Sequence, residues 1–215
     1  MTALDISPSV EEIRRMTYIA DDPIDFATWL ELAQEMDTEL VRGVMIDKMA
    51  AQYPHEWIFM WLASILSPFV MDRQLGVVLG SRTPIKISNN DGRLPDLVFV
   101  RADNVAIIHK DAIYGVPDLV IEIISENDRP SDLVQLETDY RTVGIPEIVF
   151  IDQRKKRVRY LQKNETDYDA VFLTTGRLEF LCIPGFWIEV EWLFLENKPN
   201  VLPHIKQLIE AAENG

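Results

Sequence analysis

Two carboxylates stand in this chain where charge is expensive. Asp96 ends Arg93-Leu94-Pro95-Asp96, directly before Leu97-Val98-Phe99-Val100, and Glu122 interrupts the run Leu119-Val120-Ile121-Glu122-Ile123-Ile124. Continuous apolar runs rich in Val and Ile and bounded by Pro read as strands buried on both faces. An ionised carboxylate in such a strand is costly unless a cation, a metal or several hydrogen bonds compensate it. If the two strands are neighbours, Asp96 and Glu122 converge at one end of a sheet and can hold a hard divalent cation through oxygen ligands. Two plainer readings stand beside this one. Asp96, following Pro95, could open a strand and accept bonds from a turn, and Glu122 could pair with a buried arginine as a structural ion pair.

The elements that must position these residues are legible from periodicity. Phe26, Trp29, Leu30, Leu32, Ala33 and Met36 recur at helical spacing, with Asp25 as the N-cap. Glu39-Leu40-Val41 and Val44-Met45-Ile46 flank Arg42-Gly43 as a hairpin that Glu39 opens. From His55 to Met71 an apolar face of Trp57, Ile58, Trp61, Leu62, Ile65 and Leu66 predicts a core-facing helix, with Pro68 perturbing its last turn. Short strands follow at Gly76 to Gly80 and Pro84 to Ile87, and Asn89-Asn90-Asp91-Gly92 makes a turn before the first acidic strand. A helix from Ser131 to Val143, stopped by Gly144 and Pro146, precedes the strand Ile148-Val149-Phe150-Ile151. Residues 118 to 151 therefore predict a strand-helix-strand crossover with two parallel strands. Strands at 157 to 161, 168 to 173 and 186 to 194 and a helix starting near Pro203 complete the chain. Residues 1–24 are polar and punctuated by proline and read as a surface extension, leaving 25–215 as one domain.

Composition narrows the functional classes. The chain has 215 residues, 47% hydrophobic and 26% charged, as expected of a globular protein with a sizeable core. Its single cysteine, Cys182, excludes an intramolecular disulfide and a cysteine-rich zinc site and suits a reducing, cytoplasmic interior. Met1 to Val10 lack the basic-then-apolar order of a signal peptide, and no run approaches the roughly 18 apolar residues of a membrane span. A net charge of −14 argues against a polyanionic partner, because phosphate neutralisation needs Lys and Arg. A carboxylate site that gains divalent cations changes its own local field, however. The one concentrated basic patch, Arg154-Lys155-Lys156-Arg157-Val158-Arg159, lies between two strand-like runs and reads as the solvated tip of a hairpin.

Several spaced elements together resemble the Uma-two family of restriction-endonuclease-like proteins, within the PD-(D/E)XK nuclease superfamily. The matching residues are Glu39-Leu40-Val41-Arg42-Gly43, His55 at a helix start, Arg93-Leu94-Pro95-Asp96, and the stretch from Pro117 to Asp152 with Glu122, Ser125, Asp132-Leu133, Tyr140, Gly144, Pro146-Glu147 and Asp152 in register. The resemblance covers most of residues 26 to 195. It implies a restriction-endonuclease-like α/β (α+β) core, a mixed β-sheet flanked by helices, in which Asp96 and Glu122 coordinate Mg²⁺ (or Mn²⁺) and Glu39 joins them as a further catalytic acid. DNA is the substrate it implies. A homodimer is expected because two active sites are needed to cut both strands of a duplex, and closed twofold symmetry is common.

One departure from the pattern bears on activity. The superfamily lysine two residues after the second acid is Ile124 here, and the helix position to which the family's lysine has moved aligns with Leu136. Leucine neither orients a water nor stabilises developing negative charge, a loss worth on the order of 10² to 10⁴ in rate. Lys48, near the hairpin that Glu39 opens, is a replacement that only geometry can support. A catalytically inactive binding or assembly module is therefore the alternative to a metal-dependent endonuclease, and a hydrolase of another phosphate ester is a third reading. Among the remaining candidates, His55 reads as a structural histidine and Tyr140 as a core residue with its hydroxyl bonded. Trp187 and Trp192 read as core or interface aromatics, and Ser125 as a loop cap next to Asp128.

Overall fold

The computed structural model describes residues 23–33, 37–48, 52–80, 83–125 and 128–213. The extension expected over 1–24 lies, except for Pro23 and Ile24, outside the described residues. The chain divides into two compact units, one of residues 1–49 and 86–93, the other of residues 50–85 and 94–215.

In the first unit, helix α1 (Phe26–Leu32) is capped by Asp25, whose carboxylate accepts from Thr28 N at 2.9 Å, and it buries Phe26 and Trp29. The periodicity that predicts this helix extends to Met36, but residues 34–36 are outside the described part. Strands β1 (Thr38–Val41) and β2 (Val44–Asp47) pair antiparallel across Arg42-Gly43. Both turn residues have positive φ, 52° and 79°, which matches the strand twist of a tight hairpin and explains why Gly follows Arg there. The Trp29 indole N–H donates to Thr38 Oγ1 at 3.1 Å, tying helix to hairpin.

In the second unit, helix α2 (Tyr53–Asp72) runs on past Pro68 for another turn. Leu66, Phe69 and Val70 are buried around that proline, so core packing outweighs the one missing backbone bond. Strand β3 (Gly76–Gly80) follows, and the two short strands β4 (Ile85–Lys86) and β5 (Gly92–Arg93) lie at the division between the units. The sheet then grows through β6 (Leu97–Arg101), β7 (Leu119–Ile124), α3 (Pro130–Val143), β8 (Glu147–Asp152), β9 (Arg157–Lys163) and β10 (Tyr168–Leu173). Its order is β10-β9-β8-β7-β6-β3, and the β7–β8 pair is parallel as the crossover requires, while the other pairs are antiparallel. The crossover helix α3 stops at Gly144, in the left-handed conformation with φ 86°.

Strand alternation assigns the two faces of this sheet different tasks. Leu97, Phe99, Leu119, Ile121, Ile123, Val149 and Ile151 join the α2 residues in the main core. The alternate residues, among them Val98, Val120, Glu122, Ile124, Ile148 and Phe150, point the other way, to the face where α3 lies. All six residues of β7 and of β8 are buried, as a central pair covered on both sides demands. The long strand expected over 186–194 is instead β12 (Trp187–Glu189), paired with β11 (Arg177–Glu179), and then a 3₁₀ segment at Val190–Phe194. Burying Val190 and Leu193, three residues apart, suits three residues per turn better than strand alternation. Helix α4 (Val201–Glu213) places His204 edge-on against Trp187 and Trp192, 4.6 and 4.7 Å between ring centroids, so both tryptophans are packing residues. No helix among the described residues is long and apolar enough to cross a membrane.

Candidate active site

Antiparallel register sets Leu97 opposite Ile121 and Val98 opposite Val120, and Asp96 and Glu122 are the next residues beyond the Leu97–Ile121 pair. Pro95 helps end β6 here, since it has no N–H to extend the ladder. The Asp96 carboxylate takes over that role: Oδ2 accepts from Ile123 N at 2.7 Å and lies 3.1 Å from His55 Nε2 at the start of α2. Oδ1 of the same carboxylate receives no hydrogen bond from a described residue. Asp96 is thus held by one oxygen, with the other available to a ligand.

Glu122 points to the opposite side of its strand from Ile121 and Ile123, and Tyr140 on α3 donates its hydroxyl to Glu122 Oε1. Both acids are only 6% exposed. The core reading of Tyr140 holds, and its hydroxyl partner is the candidate site itself. His55, read from sequence as structural, orients the first acid. Burial opposes its charge, but the hydrogen bond and charge of Asp96, and then Glu56, outweigh burial and raise its pKa above the usual histidine value. Its Nδ1 is buried without a hydrogen-bond partner among the described residues, with Glu56 Oε1 3.4 Å away.

Glu39 lies in the first unit, where Arg93 Nη1 donates to its Oε2 at 2.8 Å and Lys48 Nζ to its Oε1 at 3.4 Å. Arg93 is 5% exposed, so the buried Arg–carboxylate pair considered for Glu122 is realised at Glu39. Lys48, the speculative lysine, is likewise bonded to Glu39.

On α3, Leu136 is half-buried one turn before Tyr140, on the same helix face. Its neighbours are committed elsewhere: Gln135 donates to Asp139 at 2.7 Å, and Glu137 accepts two bonds from Arg159 at 3.0 and 2.8 Å. Ile124 shares the Glu122 face and pairs with Asp152. The Ser125 cap runs the other way from expectation: Asp128 Oδ2 accepts from Ser125 N at 2.7 Å, so aspartate supplies the cap.

Among the described residues no group of three or more His, Cys, Asp or Glu is arranged around a common metal position. Asp96 and Glu122 are a two-carboxylate set, which fits Mg²⁺, an ion that keeps most of its waters and takes one or two carboxylates. Sequence reasoning missed how many other acids are buried. Glu147 accepts from Tyr160 OH, Leu181 N at 3.0 Å and Cys182 N at 2.6 Å, and Asp118 accepts from Arg101 N and Asn104 Nδ2. Glu147 opens an apolar strand much as Asp96 precedes one, so the pattern alone does not separate a structural acid from a ligand. A free oxygen does.

Three comparisons bear on this arrangement. A search of curated proteins finds no match. Among solved structures, the chain is similar to a protein described as a putative nuclease belonging to DUF820 from Anabaena variabilis, with 15% identity, a TM-score of 0.62, and 73% of this chain and 89% of the other covered. At that identity the likeness shows the fold, a restriction-endonuclease-like mixed sheet flanked by helices. The family model Uma2, described as putative restriction endonuclease, matches residues 24–191. Spanning most of the sequence and the whole Asp96–Glu122 region, that match places the chain in the Uma2 family.

Proposed function

We propose that this protein is a metal-dependent endonuclease that hydrolyses DNA phosphodiester bonds, with Mg²⁺ or Mn²⁺ held by Asp96 and Glu122. The observation that carries the reading is the buried Asp96 carboxylate, fixed through Oδ2, with Oδ1 bonded by no described residue, next to the Leu97–Ile121 pair that Glu122 follows. A cation bound there would polarise the phosphodiester, lower the pKa of an attacking water and stabilise the leaving oxygen. The chain's own groups supply the placement. The Ile123 N–H and His55 fix the orientation of Asp96, and the Tyr140 hydroxyl fixes that of Glu122. Glu39 enters on the family register alone, as an assisting acid. The protein works in the cytoplasm, where an unpaired Cys182 is stable, and as a homodimer that presents one site to each strand of a duplex.

A second reading has its own motive, which is Leu136. Without a cation at that helix position the fold could serve as an inactive binding or assembly module. Nicking of supercoiled DNA with Mg²⁺ and with Mn²⁺, beside Asp96→Ala and Glu122→Ala prepared identically and shown to be folded, separates the two. Cleavage lost in both variants supports the endonuclease. Wild-type activity no higher than that of the variants removes it in favour of the module.

A further inference from the structure

The face that carries Glu122 continues across the sheet in a single row. Glu122 pairs with Phe150, Phe150 with Arg159, and Arg159 with Phe172. Directly paired residues project to the same face, so the four side chains run in line over β7, β8, β9 and β10. At about 4.8 Å per strand, Phe172 lies roughly 14 Å from Glu122.

This outer end of the row gathers the cations of an otherwise acidic molecule. Residues 154–159 hold five of the chain's 21 lysines and arginines, against a net charge of −14. The turn between β8 and β9 is the solvated tip expected from sequence, but Arg157 and Arg159 are half-buried strand residues. Their guanidinium carbons lie 4.3 and 5.3 Å from the centroid of the Phe172 ring. Beside that ring is a groove of about 150 Å³ floored by Phe150 and Leu133, with Lys155 and Arg157 among its lining residues. Two carboxylates also line it, and both are already neutralised: Glu137 by Arg159 at 2.8 Å, Asp152 by Lys155 at 3.6 Å and Arg157 at 3.9 Å. Three cations against two carboxylates leave the groove positive. Phe172 is 51% exposed, so its ring still offers apolar surface.

Resting on the phosphodiester-cleaving reading, we propose that this groove binds a single polynucleotide strand and leads it to the carboxylates. One base stacks on Phe172, and the adjoining phosphate meets Lys155 and Arg157. Basic grooves with aromatic platforms hold single strands in this way. A base must leave its pair to stack on an exposed ring, which favours a single strand over a duplex.

The test is fluorescence anisotropy of a labelled oligothymidylate with the full chain in EDTA, where no cleavage occurs. Phe172→Ala weakens binding about 5- to 150-fold, the worth of one stacked base, and Phe172→Tyr restores it. The double variant Lys155→Ala, Arg157→Ala lowers the slope of log affinity against log salt by about 0.7, the contribution of the one phosphate that both cations meet. Lys206→Ala, which removes a cation from α4, leaves binding alone. Melting temperatures confirm that each variant is folded. Equal binding by Phe172→Ala and wild type, tighter binding of duplex than of single strand, or no binding by wild type overturns the groove. The two readings fail separately. Oligonucleotide binding that needs Phe172, without metal-dependent nicking, supports the groove and removes the endonuclease. Nicking that needs Asp96 and Glu122 but is indifferent to all groove variants overturns the groove alone.

Discussion

At position 136 a leucine occupies the helix face from which Tyr140, one turn on, reaches Glu122. The side chain is half-buried, so a lysine there can lay its stem along the helix and bring its ammonium group towards the end of β7. Leu136→Lys is expected to raise the initial rate of Mg²⁺-dependent nicking by about 10² to 10⁴, the worth of one positioned catalytic group. Leu136→Met, which keeps shape without charge, is expected to leave the rate unchanged. Equal rates in wild type and Leu136→Lys would mean that another cation already acts at the site. The same scale explains why Asp96 tolerates burial. A backbone N–H and an imidazole both engage Oδ2, and a hydrogen bond to a charged group contributes about 1.5–3 kcal/mol, enough to offset much of the desolvation of a carboxylate at the surface of the core.

Among the elements, β8 depends on a charge at its first residue. Glu147 collects donors from β9 (Tyr160) and from the loop before β12 (Leu181 and Cys182), so one carboxylate fixes three separate stretches of chain. Glu147 is itself 3% exposed, and Glu147→Ala, which removes the acceptor of all three donors, is expected to cost about 3–5 kcal/mol, read from urea denaturation at neutral pH. The end of α3 is tied to β10 in a comparable way: Tyr168 donates to Ile145 O at 2.8 Å, and Arg141 stands over its ring. Burial pushes the Tyr168 hydroxyl up to about 12, with Arg141 opposing and Asp167 adding to the rise. Between about pH 10 and 12 the unfolded chain has then released a proton that the native state keeps, so stability falls as pH rises through that window. Tyr160, raised in the same sense by burial and Glu147, contributes to the same fall. Tyr168→Phe is therefore expected to make the alkaline loss of the urea midpoint shallower without abolishing it. These elements were legible in different degrees from the sequence. The β7-α3-β8 crossover was readable because its strands are predominantly apolar runs and its helix is followed by Gly-x-Pro. The acids at 96 and 122 were readable because charge in such runs is rare. Glu147 escaped because its backbone donors lie over thirty residues away in sequence, and the segment at 190–194 because a three-residue repeat mimics a strand over so short a span. Arg159 and Phe172 looked like ordinary hairpin residues until register placed them in the Glu122 row.

Over the whole molecule, charge sets two responses to salt that run in opposite directions. At −14 the folded chain repels itself, and compaction concentrates that repulsion. Raising sodium chloride from about 20 mM to about 500 mM shortens the Debye length from roughly 20 Å to roughly 4 Å and screens it. Ion pairs such as Arg159–Glu137 and Arg141–Asp167 weaken under the same screening, but exposed pairs contribute little. The melting temperature is therefore expected to rise by a few degrees over that range. Oligonucleotide affinity, carried by the positive groove between α3 and β10, is expected to fall over the same range because each phosphate contact releases counterions. Differential scanning fluorimetry and anisotropy on one salt series measure both. A melting temperature that falls with salt would show that local ion pairs, and not net repulsion, govern stability. An affinity that rises with salt would show that the acidic surface, rather than the basic groove, decides what this protein can approach.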